Sequence, residues 1–184
     1  MGNGIFQNFQ ELVQQVPELL QPLILALAGA VPFIEGEGAT AIGVLGGLNP
    51  LVAALAGFAG NLLCVVILVA LSSGARGAVV GHRNRREQTR REGLSDAELA
   101  AAPIESAEES VSPRRAKFQR SLSRWGVPGV SLLGPLLLPT QFTATMLAGA
   151  GVAPRRIILW QAIAIAGWTA IAALLLSYIL STVQ

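Results

Sequence analysis

Val31–Gly43 reads VPFIEGEGATAIG and sets two carboxylates, Glu35 and Glu37, between two strongly apolar runs. A charge at the centre of a membrane span costs about 3 kcal/mol even on lenient insertion scales. The stretch is therefore either a flawed span or the turn of a segment that enters and leaves a bilayer on one side, and the choice decides the fold. Composition sets the class first. Of 184 residues, 52% are hydrophobic and 13% charged, and the mean hydropathy is positive at +0.56. Soluble domains carry roughly 25% charged residues. The chain reads as an all-α integral membrane protein with room for one small domain, residues 1–184.

Charge placement gives the topology. All 13 Lys and Arg residues lie between Arg76 and Arg156. Uncharged apolar stretches cover 19–34, 38–75, 125–154 and 157–184. A helical span needs about 20 apolar residues, which places spans at 50–72 and 157–181. The segment 76–124 between them carries eleven basic and seven acidic residues, so the positive-inside rule puts it in the cytoplasm of a multi-pass cell (inner) membrane protein. Within it, Ser95 and Glu98 match a capping box, predicting a short helix with flexible flanks around Pro103 and Pro113.

Residues 125–154, WGVPGVSLLGPLLLPTQFTATMLAGAGVAP, are broken by Pro128, Pro135 and Pro139 and are polar at PTQFT. A single crossing would strand Arg155 and Arg156 outside. A re-entrant hairpin over 126–152, with its tip near Pro139–Gln141, keeps them with the other basic residues. The same logic makes 19–47 a hairpin, turning at PFIEGEGAT with Pro32 in the turn, 19–31 descending and 39–48 returning. The acidic, Lys- and Arg-free N-terminus then lies outside. Two half-repeats of opposite orientation follow, each a hairpin plus a span. Inverted repeats with broken elements meeting near the midplane mark transporter architectures, and irregular backbone at that depth must be buried or line a wet cavity. Two hairpins and two spans make a thin protein, so a sealed pathway implies a homodimer.

Other features are secondary. Ala39, Gly43 and Gly47, and likewise Ala162, Ala166 and Ala170, recur every four residues and predict close helix packing. Residues 1–18 read as an interfacial amphipathic helix with Ile5, Phe9, Leu12, Val13 and Val16 on one face; they lack the basic start of a secretory signal. Arg155, Arg156 and Trp160 read as interfacial anchors. Cys64 is alone and reads as an apolar filler. With His82 as the one histidine, no metal site is expected, and no cofactor either.

PFIEGEGATAIG and WGVPGVSLLGPLLLPTQFTATMLAGAGV resemble the two hairpin motifs of the small multidrug export protein family. That family lies within the DedA (SNARE-associated, VTT-domain) superfamily of membrane transporters and lipid translocators. The resemblance covers most of the chain outside 76–120, including the order hairpin, span, loop, hairpin, span. It implies two hairpins meeting in the membrane and a proton-coupling acidic residue in the first, matched best by Glu35. Glu37 stands where many members carry another residue, often basic. DedA-type members place arginines in the second hairpin; here the nearest position is Gln141, which is neutral.

The candidate substrate and proton site comprises Glu35, Glu37, Thr140, Gln141, Thr143 and Asn61. Two carboxylates two residues apart in low dielectric favour proton uptake by at least one. With no basic residue in the apolar stretches, their counter-charge is a proton, a cationic substrate or the N-terminus of a hairpin half-helix. The plainer alternatives are a solvated pair at the loop mouth, threonines that satisfy the hairpin backbone, and an interhelical hydrogen bond from Asn61. Trp168 either lines a site for aromatic cations or simply packs. Enzyme chemistry finds no support, since no Ser-His-Asp set, HExxH or phosphate loop exists. The run RNRREQTRR lacks interleaved aromatics, so lipid headgroups and not nucleic acid are its expected partners. The leading expectation is proton-coupled export of amphipathic, cationic compounds by alternating access. The alternatives are a translocator of a lipid phosphate such as polyprenyl phosphate, and a non-transporting membrane scaffold.

Overall fold

The computed structural model describes residues 4–92 and 113–183. These are helical throughout apart from turns, with no strand among them. The helices are α1 (Ile5–Gln15), α2 (Gln21–Gly29), α3 (Glu35–Leu45), α4 (Pro50–Glu92), α5 (Pro113–Leu133), α6 (Thr140–Gly149) and α7 (Pro154–Val183). Single 3-10 turns, Glu18–Leu20 and Gly134–Leu136, precede α2 and follow α5. Among the described residues, two helices are long and apolar enough to cross a membrane, over Pro50–His82 and Pro154–Thr182.

On α4 the buried positions are Ala53, Gly57, Gly60, Asn61, Val65 and Val69, a single stripe at helical period. The rest of that helix surface carries exposed Leu51, Leu55, Leu63, Ile67 and Leu71. An amphipathic helix in water would be polar there. On α7 the inward stripe is Ile157, Gln161, Ala164, Ile165 and Thr169. The expected packing row Ala162, Ala166 and Ala170 lies on the half-buried to exposed side of α7 instead. A four-residue spacing of alanines fits any face of a helix, and the larger Ile157 and Ile165 set which face turns inward.

The core has two parts. One joins Val13, Leu25, Ala28, Ile34, Ala39, Ile42, Val44 and Ala53. The other joins Val65, Val69, Val127, Val130, Ala144, Leu147, Ala148, Ile157 and Ile165. Helix α1 docks on the first part through Val13, buried, and Phe9, partly buried. Its Ile5 and Leu12 stay exposed, so the apolar face is split between the protein and its surroundings.

Several elements differ from the sequence-based expectation. Helix α4 does not stop at residue 72 but runs to Glu92, and Pro113 opens α5 rather than flanking a flexible segment. Proline at a first helical position loses no hydrogen bond. The proposed cap at Ser95 and Glu98, and Pro103, lie outside the described residues. The first turn is shorter than PFIEGEGAT: it occupies 30–34, and Glu35 already begins α3. Phe33 and Glu35 take positive φ values of 72° and 56°, each costing roughly 1–2 kcal/mol for a side-chain-bearing residue. Gly47, expected in a packing row, is a turn glycine at φ 90°; Gly36 takes its place on the inward face of α3.

Pro128 does not break α5. The break is two residues earlier, at Gly126, with φ 65° and ψ −175°. That conformation is essentially restricted to glycine. Gly126→Ala should therefore lose about 1–3 kcal/mol of stability, although a Cβ there meets nothing closer than Pro128 Cδ at 3.5 Å. Gly149→Ala, with open space and no positive φ, is the control. Thermal unfolding of both in detergent checks the difference, and equal melting temperatures would contradict it.

Candidate functional site

The site is built by close backbone approach. A Cβ on Gly57 would lie 2.6 Å from the Gly36 carbonyl oxygen, and one on Gly29 would lie 2.5 Å from that of Gly57. One on Gly60 would collide with the Ala26 carbonyl, and one on Gly36 with the Thr169 methyl group. Helices α2, α3 and α4 are thus pinned together with backbone nearly in contact, and α7 joins them through the Thr169 and Ile165 side chains. Asn61 follows Gly60 and Glu35 precedes Gly36, so the seam sets both polar side chains at one level.

The third contributor is the N-terminus of α6. Pro139 precedes it in an extended conformation, φ −51° and ψ 143°, which turns the first amide of the helix toward Glu35. The Thr140 backbone N–H donates to Glu35 Oε1, and Thr140 Oγ1 donates to the same oxygen at 2.8 Å. Thr140 Oγ1 also lies 3.0 Å from the Asn61 amide, and the Gln141 amide lies 3.1 Å from it. All four side chains are buried, with Glu35 3% exposed and Asn61 0%.

Proton counting refines this network. A hydroxyl has one proton, and Thr140 spends it on the carboxylate. The Asn61 contact is then a hydrogen bond only with the Asn61 NH2 turned toward Thr140 and the Gln141 carbonyl turned toward Asn61, since amide orientation follows from the network. In either orientation one end of the Asn61 amide has no protein partner. The carboxylate meanwhile sits at the positive end of a ten-residue helix, a placement worth up to ~2 kcal/mol in partly buried settings.

Of the six residues expected from the sequence, the structure brings together Glu35, Thr140, Gln141 and Asn61. Glu37 is half-buried on α3 and contributes no side-chain bond to the network. Thr143 is buried one turn into α6 and packs on Gly134: a Cβ there would lie 3.0 Å from Thr143 Oγ1. Phe33 and Phe142 close the same junction from the exposed side, with ring centroids 6.4 Å apart. Trp168 donates its indole N–H to the Leu132 carbonyl at 3.1 Å, so it satisfies the broken end of α5. Trp160 packs beside the second core, and Arg155 and Arg156 are exposed. Cys64 is half-buried and free. Among the described residues no group of three His, Cys, Asp or Glu side chains could hold a metal ion.

Sequence reasoning gives no role to Gln161, Ser131 and Thr169, all buried. A polar residue inside an apolar span was the available signal for the first and third. No family model matches the chain, and neither a curated protein nor a solved structure matches it.

Proposed function

We propose that the protein is a small membrane transporter that exchanges protons for amphipathic cations, working as a homodimer in the cell membrane. The observation that carries this reading is the buried Glu35 carboxylate, held by the N-terminus of α6 and linked to Asn61 and Gln141. In this reading α2–α3 and α5–α6 are re-entrant hairpins entering from opposite faces, and α4 and α7 are the spans. The apolar outward faces of α4 and α7 support a lipid surround, because such faces are costly in water. The tips meet at Glu35 and Thr140, where a broken backbone is shielded by protein.

Charge explains the coupling. Glu35 is neutralised by a proton or by a monovalent cation, but an empty, ionised site is costly to carry through low dielectric. Only loaded forms then reorient, which makes proton and cation alternate. The resemblance to the small multidrug export proteins points the same way. A lipid-phosphate substrate is disfavoured by one observation: the anion-attracting helix N-terminus is already occupied by the protein's own carboxylate. A scaffold role would place the important contacts in 76–124.

The test is transport by purified protein in proteoliposomes. A lipophilic cation dye should move against an imposed pH gradient, and a protonophore should abolish that movement. Deleting part of 93–112 should leave it largely intact. Absence of pH-driven dye movement in the wild type would overturn the reading.

A further inference from the structure

Glu35 needs a route by which its proton reaches water. On the side of the first core the buried Thr40 is spent, its Oγ1 donating to the Gly36 carbonyl at 2.7 Å, and the buried members of that core are aliphatic. On the other side the buried polar groups are not all spent. Among the described residues, the side-chain atoms that are buried without a protein partner are one end of Asn61, the Ser131 hydroxyl, the Ser73 hydroxyl and both ends of the Gln161 amide. Asn61, Ser131 and Gln161 are each 0% exposed.

Asn61, Gln161 and Ser73 follow one direction. Gln161 lies on the inward stripe of α7 between Ile157 and Ile165, which belong to the same apolar core as Val65, one turn beyond Asn61 on α4. Ser131 lies off that line, next to Leu132, whose carbonyl accepts from Trp168 about two turns farther along α7 than Gln161. Ser73 lies just over three turns beyond Asn61 on α4. The direction ends where Arg76 of α4 covers Gly151 in the α6–α7 turn, the end from which the basic segment 76–124 leaves. An unpaired buried amide costs about 1–3 kcal/mol, and internal water is the usual way such groups are satisfied.

We infer that water held between Asn61 and Gln161 connects Glu35 to the face bearing residues 76–124, so this conformation exchanges its proton with that face alone. The inference rests on the proton-binding role proposed for Glu35. The proton leaves the carboxyl oxygen for a water molecule and moves on as hydrated proton; Gln161 gains and loses none, and is a positioning residue that holds the water. Around Glu35 the other titratable groups in the apolar stretches are Glu37 on α3 and Cys64 on α4, with Tyr178 exposed farther along α7; α2 and α6 carry none, and α5 none beyond Arg124.

Two experiments test it. Infrared difference spectroscopy after a pH jump follows the carboxyl band that disappears in Glu35→Gln. Gln161→Leu should slow proton exchange at that band about tenfold or more, while Gln161→Asn, which still holds water, should stay near wild type. An unchanged rate in Gln161→Leu overturns the inference. Absence of any titrating Glu35 band in the wild type instead overturns the role of Glu35 itself. Should Gln161→Leu fail to fold, the second experiment decides. Gln161→Cys in a Cys64→Ala background should react with Ag+, a probe near the size of water, added from the side of 76–124. Reaction from the opposite side alone, or none, overturns the inference.

Discussion

Gly60→Ala is expected to be the most destabilising single-methyl change in the described structure. The added carbon would collide with the Ala26 carbonyl. That oxygen is backbone in a packed helix, so neither rotamer change nor side-chain motion relieves the overlap. Helices α2 and α4 must separate, and with them go the approaches of Gly29 to Gly57 and of Gly57 to Gly36. Overpacking commonly costs 1–3 kcal/mol, and a backbone-on-backbone clash should reach about 3 kcal/mol or more. Gly57→Ala and Gly29→Ala should follow at smaller cost, since their methyls would sit 2.6 and 2.5 Å from carbonyl oxygens. Gly74→Ala and Gly167→Ala, with nothing within 4 Å, should be neutral or gain up to about 1 kcal/mol from helix propensity. Thermal unfolding in one detergent orders the series, and a Gly60→Ala protein as stable as the two controls would contradict the seam.

The same seam shows what was legible in the sequence. Charge placement and hydropathy marked both long helices, because burial in an apolar medium selects composition over twenty residues at a time. The two broken regions were legible from proline and from polar residues in apolar runs. The polar tips Glu35 and Thr140–Gln141 were picked out together, since each carries an expense that needs a partner. What could not be read was which face of each helix turns inward. Ala162, Ala166 and Ala170 share the spacing of a packing row yet lie on the outer side, whereas Gly57, Gly60 and Gly36, in no regular row, make the close contacts. Close approach depends on the pairing of one helix with another, and one helix's sequence does not contain its partner's register. The break in α5 falls at Gly126 and not at Pro128 for a related reason. Proline announces a break, but it is tolerated in the first turn after one, and the glycine before it takes the forbidden conformation.

Glu35→Gln is expected to reduce pH-driven cation transport to background while the protein still folds. Glutamine keeps the volume and an oxygen that accepts from the Thr140 amide and hydroxyl, so the junction of α3 with α6 persists. What it removes is the anion at the positive end of α6, a stability loss on the order of 1 kcal/mol, and the ability to exchange a proton for a cation. Every form of the variant site is neutral when empty, so nothing obliges it to reorient loaded, and any residual dye movement should not respond to the gradient. The sign follows from the cycle. In the proposed cycle, acid on the side facing away from 76–124 protonates Glu35 and releases cargo there. Higher pH on the 76–124 side ionises it and recruits the next cation, so export rises with the inward proton gradient. In Glu35→Gln the rate should be flat across both pH values. Glu37→Gln separates the two carboxylates: half-buried and outside the Thr140–Asn61 network, it should keep gradient-driven transport within several-fold of wild type. The reverse result, with Glu37→Gln inactive and Glu35→Gln active, would move the exchange site off the α6 N-terminus. The bond between the two tips would then be a structural clamp.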